Sequence, residues 1–156
     1  MAQLRARTGG SGGGSQAALG LTAARILIGV FFVFEAAGKV GWLADPGLLG
    51  NQLNGWLQNA NNPYSRWYLQ TMAIPGVAIF ARLVMLGEFS AGIALVLGVW
   101  TRLAALVALL MVLNFHFASS AIFKYSFLTS GYGLPVVGCL VALAIGGKGL
   151  RWSLRD

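Results

Sequence analysis

The chain has 156 residues, of which 57% are hydrophobic and 10% charged, with a formal net charge of +7. Ordinary globular domains carry roughly 25% charged residues, so the balance is that of a protein solvated by lipid. Its eleven Lys and Arg residues stand singly between apolar runs, which excludes a nucleic-acid face; one Cys and one His exclude an internal disulfide, a CxxC redox pair and a bis-histidine haem held by this chain alone.

Residues 1–18, MAQLRARTGGSGGGSQAA, have the composition of a flexible tail, expected on the cytoplasmic side. A first span over about 19–40 is long enough to cross a hydrocarbon core of roughly 30 Å. Projected on a helix, Arg25, Gly29, Phe32, Ala36 and Lys39 fall near one line with Glu35 beside them, which makes one face polar and close-packing. From Gly41 to about Pro75 the chain is mixed, and Trp42, Trp56, Tyr64, Trp67 and Tyr68 are residues of the headgroup region. Asp45-Pro46 is a helix-start signal ahead of an apolar face formed by Leu48, Leu49, Leu53, Trp56 and Leu57, and a second start falls near Pro63. Short interfacial helices are therefore expected in the first outer loop.

The second span, about 77–100, contains Arg82 and Glu88. Gly87, Ala91, Ala94 and Gly98 recur in it at helical spacing and offer a neighbouring helix a close approach. Glu88 lies about 100° from that stripe, and an ionisable group in lipid costs several kcal/mol unless paired or wetted, so it is expected to look into a bundle. Thr101 and Arg102 read as a tight topology turn before a third span over 102–120. A fourth, over 127–146, must borrow the polar Thr129, Ser130 and Tyr132, because Leu134–Ile145 is short for a crossing. Residues 147–156 form a basic C-terminus whose Lys148, Arg151 and Arg155 suit anionic lipid headgroups. Arg5, Arg7, Arg102, Lys148, Arg151 and Arg155 on one side outweigh Arg66 and Lys124 on the other, which puts both termini in the cytoplasm. The expected fold class is an all-α membrane protein, a four-transmembrane-helix bundle over 19–146.

A rise of about 1.5 Å per residue places Arg25 about 9 Å, Glu88 about 18 Å, His116 about 21 Å, Glu35 about 24 Å and Arg82 about 27 Å from the cytoplasmic side. Glu35 and Arg82 are thus expected to pair between the first two spans, with Arg25 and Lys39 as further intramembrane pairing cations. Glu88, His116 and Glu35 are expected to face a polar pocket. Two readings of that pocket stand side by side. The charges neutralise each other and lock helix packing, or they handle protons or a quinone, with His116 as hydrogen-bond donor or relay. Asn114, two residues from His116, points to the opposite side of its helix.

The stretches RILIGVFFVFEAAGKV, GEFSAGIALVLGVWTRLAAL, LNFHF and GKGLRWSL resemble the DoxX family of small four-helix integral membrane proteins, over nearly everything from Ala24 onward. The resemblance implies a bundle in the prokaryotic cytoplasmic (inner) membrane, and a subunit of a quinone-linked oxidoreductase complex that has no redox centre or metal of its own and binds at most a quinone. Two other readings are a structural or assembly subunit docking a larger membrane complex and a small-molecule carrier. The expected partners are the lipid bilayer and other membrane or membrane-associated subunits, with no nucleic acid.

Overall fold

The computed structural model describes residues 11–155. Among them the chain is all helical apart from one isolated bridge between Val99 and Arg155. In chain order the helices are α1 (Ser11–Ala37), α2 (Gly41–Ala44), α3 (Gly47–Asn59), α4 (Pro63–Tyr68) running into a π-helical turn (Leu69–Ala73), α5 (Val77–Leu97), α6 (Thr101–Ala118), a 3₁₀ turn (Ala121–Phe123), α7 (Ser126–Thr129) and α8 (Leu134–Gly146). Of the tail expected over 1–18, residues 1–10 lie outside the described residues, and from Ser11 onward the chain is already the first turns of α1.

Among the described residues three helices are long and apolar enough to cross a membrane: residues 14–37 of α1, α5 and α6, with 24, 21 and 18 residues. The expected fourth span is interrupted. Phe127 lies in the short α7, and α8 begins only at Leu134, with 13 residues, or about 20 Å of helix. Gly133 separates the two because a side chain there would collide with the Phe127 carbonyl oxygen. α1, α5, α6 and α8 nevertheless close a ring, each packed against the next. Inside it lie Ile28, Phe32, Leu95, Ala105, Ala108, Leu140 and Leu143. Outward-facing Leu27 is 71% exposed and Phe34 73% exposed, the inside-out pattern that lipid, not water, stabilises.

The closest helix contact is between α1 and α5. A Cβ at Gly29 would fall 2.8 Å from the Val96 amide nitrogen, and one at Gly92 would fall 2.8 Å from that of Val33. Gly92, which lies outside the expected Gly87–Ala91–Ala94–Gly98 stripe, carries the crossing with α1. Gly87 faces Met111 of α6 instead, and Ala91 packs in the central core.

The expected turn at Thr101 and Arg102 also moves. Gly98, with φ +66°, ends α5 in a left-handed cap in which Gly98 N–H donates to Leu95 and Val99 N–H to Ala94, the glycine-favouring helix stop. The turn is Gly98–Trp100, and Thr101 and Arg102 already belong to the first turn of α6. The C-terminal chain returns to this turn. Leu154 N–H donates to Leu97, Arg155 N–H to Gly98, and Trp100 N–H to Arg155.

The segment between α1 and α5 folds as short helices. Asp45 Oδ1 accepts from Gly47 N–H at the entrance to α3, and Asn62 Oδ1 accepts from Tyr64 and Ser65 N–H with Pro63 at the first helical position, a side-chain cap that starts α4. Leu49 and Leu53 are buried with Trp42, Leu69, Ala81, Val84 and Ala118, whereas Leu48 is exposed. Ser65 Oγ donates to the Phe117 carbonyl at 2.6 Å, which ties α4 to the end of α6.

Candidate functional site

Lys39 lies in the turn that follows α1, and its long side chain reaches back along the bundle. Its Nζ is 2.7 Å from Glu88 Oε2 of α5 and 3.0 Å from Glu35 Oε2, four residues earlier in the same chain. The Glu88 side chain is only 5% exposed, against 16% for Lys39 and 35% for Glu35. Two carboxylates share one ammonium, so the cluster carries one surplus negative charge when all three groups are ionised. The ammonium also sits 5.6 Å from the Phe115 ring centre and 5.9 Å from that of Trp42, close enough for the ring faces to stabilise it.

The expected Glu35–Arg82 pair is not formed. Arg82 is exposed, and its Nη1 donates to the Ala78 carbonyl of its own helix at 2.7 Å. Depth alone had matched it to Glu35, but Arg82 lies six residues from Glu88, about 120° round the helix, and so turns away from α1. Lys39 takes its place because a lysine stem of four carbons can carry its charge inward past a turn of helix. Arg25 does not meet a carboxylate of the cluster either. It is fully buried near the middle of α1, where Nη2 donates to the Arg151 and Trp152 carbonyls, both at 3.1 Å. Gly98 makes room for it, since a Cβ there would collide with Arg25 Nη1.

Glu35, Lys39, Glu88 and His116 line one cavity of about 430 Å³. α1 contributes Phe31 and Phe32 as well, α6 contributes Val112 and Phe115 with Ser119 just past its end, and Tyr132 and Val136 close the side next to α8. Gln52 and Trp56 descend on it from α3. Trp56 packs edge-on to Phe115 at 5.9 Å, and Phe31 meets Tyr132 at 5.7 Å. The cavity is therefore walled by rings, with an ion cluster among them.

His116 Nε2 is 2.7 Å from the Tyr132 carbonyl oxygen, and its ring packs edge-on to Phe127 at 4.9 Å. A carbonyl only accepts, so Nε2 is the protonated nitrogen and the neutral ring keeps Nδ1 as its acceptor. Asn114 does face away. Its Oδ1 accepts from Tyr68 O–H at 2.7 Å beside a separate small cavity.

The model of the DoxX family matches residues 20–120, well over half of the chain. The chain belongs to the DoxX family. No curated protein and no solved structure matches it. In this DoxX protein the matched stretch holds the ion cluster and His116, whereas Tyr132, α8 and the C-terminal chain lie beyond it. Among the described residues, no group of three or more His, Cys, Asp and Glu side chains is placed to hold a metal ion.

Sequence reading missed Trp56 and Gln52 as the cavity's roof, since both stand in a loop assigned to the headgroup region. It also missed Phe115 as the ring beneath Lys39. The signal for the cluster was the Glu35–Lys39 spacing of four, which puts the two on one face of a helix.

Proposed function

We propose that this DoxX protein is a membrane subunit of a quinone-linked oxidoreductase complex, lending a pocket within the bilayer to a partner that carries the redox centre. In this reading it crosses a prokaryotic cytoplasmic membrane four times with both termini inside. The fourth crossing is α8 with the turn before it. Its support is the pairing with α6: His116 meets Tyr132, while Arg102 Nε donates to Ala144 at 2.9 Å. Residues 132–144 thus run antiparallel to α6 over about 20 Å.

The observation that carries this reading is the ring-walled cavity of about 430 Å³ with an ammonium and an oriented imidazole on its wall. Sites for small organic ligands run from about 300 to 1,000 Å³ and combine apolar walls with a few placed polar groups. A quinone head is a flat conjugated ring with two carbonyl oxygens that only accept hydrogen bonds. Phe31, Phe32, Trp56 and Phe115 suit its faces, Lys39 suits one oxygen, and His116 suits the other when its Nδ1 carries a proton. When bound, quinone supplies two-electron redox chemistry coupled to two protons. Lys39 Nζ would donate to one carbonyl oxygen, while Glu88 balances the charge of Lys39. For quinone reduction His116 would carry a proton at Nδ1 and give it up into the pocket, with Nε2–H still held by Tyr132 so that the ring stays in place. Glu35, the most exposed member of the cluster, would take protons in from water.

A second reading, as an assembly subunit docking a larger complex, draws on the exposed Tyr64, Trp67 and Tyr125 of the outer loops. His116→Gln separates the two. Gln can still donate to Tyr132 but cannot take a proton. Donor-driven quinone reduction in membranes whose only copy is the variant is expected to fall about a hundredfold, with the chain copurifying with its partners in an unchanged ratio. Unchanged turnover with unchanged copurification would discard the proton role and leave assembly.

A further inference from the structure

We propose that the groove between the Gly98–Trp100 turn and the end of α8 is a binding site for one anionic phospholipid, its phosphate held by Arg102 and Lys148 and an acyl chain laid along α6. The groove has a volume of about 400 Å³ and is lined by Trp100, Thr101, Arg102, Leu103 and Lys148. It lies at the ends of two span-length helices, where α5 stops and α6 starts. In a bilayer that level is the headgroup region.

Arg102 is a preset anion ligand. Its Nε donates to the Ala144 carbonyl at 2.9 Å, in the last turn of α8, which fixes the exposed side chain at the groove, and a guanidinium so held would offer its Nη donors to phosphate oxygens. Lys148 follows two residues after α8 and supplies a second cation on the same groove. The positive end of the α6 dipole opens at this level and adds to the potential. Among the described residues the carboxylates are Glu35, Asp45 and Glu88, none of which lines the groove.

The lipid, rather than a free phosphate, is indicated by what continues from the groove. Leu103, Leu106 and Leu110 are 54%, 45% and 58% exposed, and their spacing places them on one face of α6. This apolar track begins at the groove wall and runs into the bilayer. Trp100, 55% exposed, stands at its head with Arg155 packed 5.7 Å over its ring, an arrangement suited to the interface between headgroup and chain.

The test is native mass spectrometry of purified protein offered phosphatidylglycerol, phosphatidylcholine or soluble glycerol phosphate. Wild type is expected to retain one phosphatidylglycerol in preference to phosphatidylcholine and to retain no glycerol phosphate. The R102Q/K148Q variant is expected to lose that retention by about tenfold or more, since each basic residue near a headgroup contributes strongly to anion binding. R151Q, which removes an exposed charge outside the groove, is expected to change it less than about twofold, and K148R is expected to retain it, which separates charge from misfolding. Equal losses in R151Q and the double variant would reduce the effect to general surface charge. Retention of glycerol phosphate, or no retention by wild type, would also overturn the site.

Discussion

Lys39→Met is expected to destabilise the protein by about 3–5 kcal/mol, measured by thermal or denaturant melting in a mild detergent. The cost comes from the partner left behind. Glu88 is held 2.7 Å from Lys39 with a side chain only 5% exposed, and a buried charge stripped of its counter-ion is among the most damaging single changes. Glu88→Gln is expected to cost only about 1 kcal/mol, because Lys39 retains Glu35 at 3.0 Å and the new amide can still accept a hydrogen bond. The double variant Lys39→Met/Glu88→Gln is expected to recover most of the loss, which places the penalty on the stranded carboxylate. A Lys39→Met protein as stable as wild type would mean that Glu88 is not held by this lysine.

Gly92→Leu is expected to prevent α1 and α5 from packing and to abolish the monodisperse protein on size exclusion. The atoms that a side chain at position 92 would meet are backbone, Val33 N at 2.8 Å and Gly29 O at 2.9 Å, so no rotamer change can relieve the clash. Gly92→Ala, with one added carbon, is expected to cost about 1–3 kcal/mol. Gly138→Ala in α8 is the control, since a Cβ there has nothing within 4 Å, and it is expected to leave stability unchanged. Close approach of this kind matters more in lipid than in water, because helix association there rests on packing rather than on expulsion of apolar surface.

The amino-acid pattern made the helices legible, and with them the polar face of α1. Arg25, Phe32 and Ala36 are buried on that face, and Lys39 and Glu35 occupy its C-terminal end. The pattern could not show the rotation of one helix against another, which decided the partners. Arg82 and Glu35 matched in depth, but Arg82 faces away from α1, and only the flexible reach of Lys39 joined the two carboxylates. The fourth span shows a different limit. Composition supplied enough apolar residues over 127–146, whereas the fold breaks them at Gly133, where Phe127 packs too close for a side chain. The role of the C-terminal chain was also hidden. Its basic residues suited a lipid surface, but its backbone, which strings the α5–α6 turn to Arg25, has no periodic signature.

The ion cluster and the cavity are one structure, so stability and quinone binding are expected to respond together to Lys39 and separately to His116. His116 lines the cavity but is held by Tyr132 rather than by the cluster. Retention of wild-type stability by His116→Gln alongside impaired quinone reduction fits a pocket that works on a ligand.

The most direct measurement is the quinone content of the protein after gentle extraction, read by mass spectrometry of its organic extract. Wild type is expected to carry close to one quinone per chain, and Val136→Trp, which fills the cavity from the α8 side, is expected to carry about tenfold less while remaining folded. Wild-type protein free of quinone, or a content unchanged by filling the cavity, would contradict the pocket's assignment.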